Sequence, residues 1–295
     1  MPFTKENIEE VRKTYKEIFG EVLANISVVR NELVKSMHEY FFREENKKSK
    51  ALVMVSGGKD STVALGLACE AIGESNVYAV TAPFENDTSD ILKTSLEVIN
   101  YFDIPKKNII HSPIKLNAKD SIVNNSKDAI QDGVTGRYYE EVLSWDKTKP
   151  EDRNLAARIR MLKAYYFAQR FNARVINTSN LSENIAGWFT KWGDCVGDYY
   201  PLENLTASEV VMVGLEMEIP EKFMFRTPDD GLIGTSDEEA LGFTYNELDK
   251  EIWVRRKERK LSNVEDIFDF YKDFEDLPEA MLKRFKSASH KRFRI

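Results

Sequence analysis

Ser56-Gly57-Gly58-Lys59-Asp60-Ser61 is a run whose residue types suit a phosphate group. Two adjacent glycines let the backbone turn tightly and approach a ligand closely. Their amides, together with the N-terminus of a helix starting just beyond, would form an anion site. The hydroxyls of Ser56 and Ser61 would add donors. Asp60 has the wrong sign for such a place unless a divalent cation lies between it and the anion. Mg2+ commonly bridges a carboxylate and phosphate oxygens. The pattern is not G-x-x-x-x-G-K-[ST], so this is not a Walker loop. The competing view is a mere turn, and the elements on either side argue against it.

Those elements are a buried strand and a helix. Ala51 to Val55 is a short continuous apolar run bounded by turn residues, the pattern of a strand covered on both faces. Val63 to Ile72 reads as an apolar helix closed by Gly73. Further strands are expected at 77–81, 108–111 and 174–178, with helices at 89–102 and 158–171 between them. Strands alternating with helices predict an α/β fold, a doubly wound parallel sheet with helices on both faces, Rossmann-like. Upstream, apolar residues recur at three- and four-residue spacing over 6–43, with Gly20 placed to divide the stretch into two helices. Downstream, 130–153 and 226–239 read as loops and 267–285 as helix. The expected organisation is one domain over 1–295: N-terminal helices at 1–48, an α/β core at 50–260, and a C-terminal helix with a basic tail at 261–295.

Composition narrows the function classes. The 295 residues carry a net charge of −7, which repels a phosphate backbone and predicts no nucleic-acid partner. Cys69 and Cys195 are the only cysteines and, with three histidines, make no spaced zinc set. A reduced, cytoplasmic location is expected. The first ten residues have no apolar stretch of a signal peptide. No uncharged apolar run approaches the ~20 residues of a membrane span, so no membrane partner is expected.

The S-G-G-x-D-S loop resembles that of the ATP-pyrophosphatase family, whose members cleave ATP between the α- and β-phosphates. Later segments resemble NAD synthetase in particular. Asn154 to Met161 is similar to N-x-x-A-R-x-R-M, Thr178 to Glu183 to G-T-x-x-x-x-E, and Gly187 to Asp194 to G-x-F-T-K-Y-G-D. Asp198, Pro201 and Leu202, then 228–232 and 237–245, and finally His290-Lys291-Arg292, continue the match in the family's order.

The resemblance implies roles. ATP would be held by Ser56, Gly57, Gly58, Lys59, Asp60, Ser61, Arg158, Thr178 and Ser208, and Mg2+ by Asp60 and Glu183. Deamido-NAD would meet Arg160, Lys191, Asp198, His290 and Lys291. Asp194 and Lys191 would be catalytic, the first orienting ammonia or taking its proton, the second neutralising departing pyrophosphate. Adenine and ribose would lie near 83–89. The implied reaction is amidation of deamido-NAD with ATP and ammonia through an adenylate. About fifty residues before the loop cannot house a glutaminase, so free ammonia or a separate subunit is implied. A homodimer is implied too, with the N-terminal helices as the candidate contact.

Two departures stand out. Cys195-Val196 replace the usual Gly-Gly, and Ala207 replaces a lysine that lies near phosphate in the family. The alternatives are another ATP-pyrophosphatase-type amidotransferase, or a relative that binds ATP without turnover.

Overall fold

The computed structural model describes residues 3–23, 25–83, 90–114, 149–226, 237–259, 274 and 276–292. The expected adenine segment at 84–89, nearly all of the loop at 130–153, the 227–236 stretch and the 267–273 part of the expected C-terminal helix lie outside them.

Four strands form a parallel sheet: β1 (Lys50–Met54), β2 (Val77–Thr81), β3 (Ile109–His111) and β4 (Ala173–Ile176), in the order β3-β2-β1-β4. Each falls within a residue or two of its expected position. The chain runs outward from β1 to β2 and β3, then returns across β1 to place β4 on its other side. That reversal makes the sheet doubly wound and opens a crevice beyond the C-terminal ends of β1 and β4.

Side-chain alternation assigns the faces. Leu52, Val80, Ala173 and Val175 point to one face and pack with Ala164 and Ala168 of α5 (Pro150–Phe171). Ala51, Val53, Val77, Ala79 and Ile176 point to the other, joining the main core with α3 (Lys59–Ile72) and α7 (Ala207–Glu216). Helices therefore cover both faces, as the apolar strands require.

The N-terminal helices are α1 (Lys5–Leu23) and α2 (Ile26–Phe42). Gly20 leaves helical geometry at φ 79° and ψ 161°, and Asn25 caps α2 by accepting from the Ser27 amide. Ile8, Val11, Tyr15, Met37 and Phe41 are buried in the main core, so the apolar stripe of these helices is spent within the chain. Among the described side chains of these helices, Val28 and Phe42 on α2 are large apolar residues that stay exposed.

The remaining helices are α4 (Asp90–Tyr101), α6 (Leu181–Ala186), α8 (Glu221–Met224), α9 (Asp237–Leu241), α10 (Tyr245–Glu258), α11 (Glu279–Ser287) and α12 (Ser289–Arg292). Capping boxes start α6 at Asn180, α7 at Thr206 and α10 at Thr244. A buried polar network then joins these helices. Arg256 donates to both oxygens of Glu209 at 2.9 and 2.8 Å, and Tyr15 of α1 donates to Glu209 Oε1 at 2.8 Å. Cys69 is half-buried against the main core, and burial pushes its thiol up to about 12.

Candidate active site

The loop after β1 has the geometry that its glycines predict. The Val55 amide extends strand pairing to the Val80 carbonyl at 2.8 Å, and the chain then turns through Gly57 at φ 81°. A Cβ at Gly57 would stand 3.0 Å from the Ser95 amide nitrogen and 3.0 Å from Thr94 Cβ, so only glycine fits without strain. Gly58 is the N-cap of α3 and has no side chain to cover the helix amides. Ser56 Oγ and Ser61 Oγ sit 3.0 Å apart, and Ser61 Oγ also receives the Ser56 amide at 3.2 Å. Internal hydrogen bonds thus hold the loop open at a helix N-terminus, where the dipole favours an anion.

The loop forms one wall of a cavity of about 740 Å³ beyond the C-terminal ends of the strands. Ser56, Gly58, Lys59, Asp60 and Ser61 line it, as do Arg160, Thr178, Glu183, Asp194 and Lys291. Most of the expected site residues therefore converge on one space.

Asp60 and Glu183 are tied through Asn180. The Asn180 side-chain amide donates to Asp60 Oδ1 at 2.9 Å, and its carbonyl oxygen accepts the Glu183 amide at 3.0 Å. The Asn180 backbone amide donates to Glu183 Oε2 at 3.1 Å. Lys59, almost fully buried, donates to Asp60 Oδ2 at 2.6 Å. Two hard carboxylates in one open cavity suit Mg2+, which takes one or two protein carboxylates and completes its shell with phosphate and water. The donor set fits that ion.

Asp194 lines the same cavity. Its Oδ1 accepts the Thr190 amide at 2.7 Å, while Asn177 at the end of β4 donates to its backbone carbonyl at 2.8 Å. Protein packed around the carboxylate raises its pKa, against the Thr190 hydrogen bond and the charges of Arg160 and Lys291. Asp194 is nonetheless exposed, and it lines the cavity. Arg160 is anchored by Nε on the Ala82 carbonyl at 3.2 Å, and Lys291 by Nζ on the carbonyls of Gly187 and Phe189 at 3.0 and 2.8 Å.

Six expected site residues do not line the cavity. Ser208 is fully buried in α7, its amide donating to Asp249 Oδ2 at 2.8 Å, because its helix faces the core. Arg158 turns away from Arg160, its two-residue neighbour, and donates to the Lys191 carbonyl at 3.2 Å. Lys191 donates to the His290 carbonyl at 2.9 Å and lies outside the cavity, as does exposed His290. Asp198 serves the sheet edge instead, its Oδ2 accepting the Val175 amide at 2.8 Å. Gly57 shapes the loop from behind and does not line the space.

The departures are accommodated without disruption. The Cys195 thiol donates to the Thr190 carbonyl at 3.3 Å, and Val196 lines the cavity. Ala207 is buried, with its amide donating to Ser182 Oγ at 2.9 Å. The motifs gave no role to Asn177 or Asn180. An Asn three residues before a Glu, the capping-box spacing, is the signal that could have marked Asn180 as an N-cap.

A doubly wound sheet, a glycine loop opening a helix at its switch point and paired carboxylates beside it define a nucleotide-binding α/β protein of the ATP-pyrophosphatase loop type. The family model for NAD synthase matches residues 29–294, and the chain belongs to that family. Among curated relatives, the NH(3)-dependent NAD(+) synthetase of Pyrococcus horikoshii is 31% identical, over 85% of this chain and 88% of the relative. That of Thermotoga maritima is also 31% identical, over 75% and 85%. Among solved structures, the NMN synthetase of Francisella tularensis is 25% identical with a TM-score of 0.64, covering 92% of this chain and 97% of that one. The NH3-dependent NAD synthetase of Campylobacter jejuni, 20% identical with a TM-score of 0.56, shares the fold. Among the described residues, no helix is long and apolar enough to cross a membrane.

Proposed function

We propose that this protein is an ammonia-dependent NAD synthetase, a C–N bond-forming ligase. It would consume ATP, deamido-NAD and ammonia and release NAD, AMP and pyrophosphate. The observation that carries the reading is the single cavity shared by the 56–61 loop, the Asp60–Asn180–Glu183 array and Asp194.

In this reading the loop amides, Ser56, Ser61, Lys59 and Thr178 hold the triphosphate. Asp60 and Glu183 would hold Mg2+, which when bound neutralises charge that builds on the departing pyrophosphate. The nicotinate carboxylate of deamido-NAD attacks the α-phosphate, giving an adenylate and pyrophosphate. Ammonia then attacks the acyl carbon, AMP leaves, and Asp194 takes the proton that the new amide sheds. Its raised pKa makes it a stronger base than an ordinary carboxylate. Arg160 and Lys291 supply positive charge beside Asp194, where the dinucleotide is to sit. Holding two nucleotides in register supplies most of the rate, since no covalent enzyme intermediate is required.

The chain is read as one domain over 1–295, acting in the cytoplasm on free ammonia or ammonia from a separate subunit. A homodimer is proposed, but through outward-facing surface rather than the buried stripe of α1 and α2. Lys191, Asp198 and His290 lie outside the cavity and would meet the dinucleotide there only if a second copy brings it to them.

Incubation with ATP, Mg2+, deamido-NAD and ammonium tests the proposal, with NAD and AMP as the expected products. The likeness to an NMN synthetase favours a second reading, amidation of nicotinate mononucleotide. The same incubation with the mononucleotide separates the two. Tight ATP binding without ATP cleavage would mark a silent relative, and cleavage of ATP to AMP and pyrophosphate without amidation of either would point to another amidotransferase.

A further inference from the structure

Arg226 and Arg284 also line the cavity, and neither belongs to a recognised motif segment. Arg226 follows α8, and Arg284 lies within α11 with its guanidinium 5.0 Å from the centre of the Trp188 ring. Each has one guanidinium nitrogen shut off from solvent with no hydrogen-bond acceptor among the described residues: Nη1 of Arg226 and Nε of Arg284. Other cations of the cavity differ. Lys59 donates to Asp60, Arg160 to the Ala82 carbonyl, and Lys291 to two carbonyls. Burial also lowers the Arg284 pKa, which marks a charge held without full solvation.

An unspent N–H of a charged group shut off from solvent is costly, and folding alone does not recover it. An anionic ligand recovers it. Guanidinium matches phosphate oxygens in a planar, forked geometry that an ammonium cannot reproduce. We propose that Arg226 and Arg284 are binding residues for a diphosphate group in this cavity. The inference deepens the ATP-dependent reading above and rests on it for the identity of the ligands. Two sources carry that chemistry: the β- and γ-phosphates of ATP, released as pyrophosphate, and the diphosphate bridge of deamido-NAD.

The test uses Arg226→Gln, Arg284→Gln and Arg284→Lys in the full chain. Titration calorimetry follows inorganic pyrophosphate with Mg2+, and deamido-NAD separately; steady-state kinetics give KM for each substrate. Both Gln variants should weaken one of the two ligands at least tenfold and raise the matching KM. Arg284→Lys should fall between, since it keeps the charge and loses the fork. Thermal midpoints should be unchanged or higher, because an N–H shut off from solvent without an acceptor has gone; a structural role would lower them. Loss confined to pyrophosphate and ATP assigns the arginines to the triphosphate. Loss confined to deamido-NAD assigns them to the dinucleotide. Folded Gln variants that bind both ligands within twofold of wild type overturn the proposal. If wild type forms no NAD yet loses pyrophosphate binding on substitution, the functional reading fails and this one stands.

Discussion

The side-chain amide of Asn180 donates to Asp60 Oδ1 at 2.9 Å while its carbonyl oxygen caps the helix that carries Glu183. One residue thus links the two carboxylates proposed to hold Mg2+. Partners of this kind typically change metal affinity 10- to 100-fold when lost. Asn180→Ser retains a helix cap but cannot reach Asp60 in the same way. It should raise the Mg2+ concentration for half-maximal activity by about tenfold, with a small change in thermal midpoint. Asn180→Ala should add about 1 kcal/mol of destabilisation from the lost cap. An unchanged Mg2+ dependence in the serine variant would separate Asn180 from the metal site.

Asp194 is held by the Thr190 amide and by Asn177 through its backbone, so its neutral analogue should fold. Asp194→Asn should lower kcat by roughly 10²- to 10⁴-fold, the usual contribution of a positioned base. Protein around the carboxylate raises its pKa, so wild-type kcat should climb with pH through a value above that of an ordinary aspartate and then level off. The variant should lose that limb. A pH profile of identical shape in both proteins would assign the limb to another group.

Gly57 adopts φ 81° with Ser95 and Thr94 packed 3.0 Å from where a Cβ would stand. Gly57→Ala must strain the backbone and push on a neighbouring main chain. The expected loss is about 1–3 kcal/mol in urea unfolding, accompanied by weaker ATP binding. Retained stability with wild-type ATP affinity would show that the loop can relax.

Asp249 is buried beneath the site, bonded to Ser182 and to the Ser208 amide, and burial raises its pKa to about 7. The unfolded chain releases that proton near pH 4. Below both values ionisation costs nothing. As pH rises from ~4 to ~7, only the unfolded state ionises, so stability falls, by an amount on the order of 2–4 kcal/mol. Above the folded value the loss levels off. Asp249→Asn should be less stable than wild type at pH 4.5, because one acceptor is gone, and should show a smaller decline toward pH 8. Parallel pH curves for the two proteins would place the titration elsewhere.

Glu209 accepts from Arg256 and Tyr15 and also receives the Thr206 amide of its own helix at 2.8 Å. Glu209→Ala strands a buried guanidinium, which should cost about 3–5 kcal/mol. Tyr15→Phe removes only one neutral donor and should cost about 1 kcal/mol, seen first as loosening of α1 in hydrogen exchange. Equal losses in the two variants would contradict this ordering.

The strands, the helix after the loop and the anion-binding loop itself were legible in the chain because each depends on local rules: apolar runs, glycine freedom and helix ends. The helix at 150–171 begins eight residues earlier than its apolar pattern suggests, since Pro150 and two acids start it without apolar spacing. The helix at 207–216 shows little amphipathic contrast because its residues are buried on nearly every side, and the helix at 245–258 hides its pattern because Asp249, Arg255 and Arg256 are charged yet buried. Motif position likewise named Lys191, Asp198, Ser208, Arg158 and His290, yet each turns to a carbonyl, a strand edge, the core or solvent.

By itself, then, the sequence determined the phosphate loop, the strand–helix alternation and the pool of carboxylates and cations from which a site could be built. Only the tertiary structure decided which of them meet. Asp60 and Asn180 are 120 residues apart in the chain, and the parallel pairing of β1 with β4 brings them together. The same packing sends Arg226 and Arg284 into the cavity and Ser208 into the core, because a side chain's direction is set by which face of its element the rest of the fold covers.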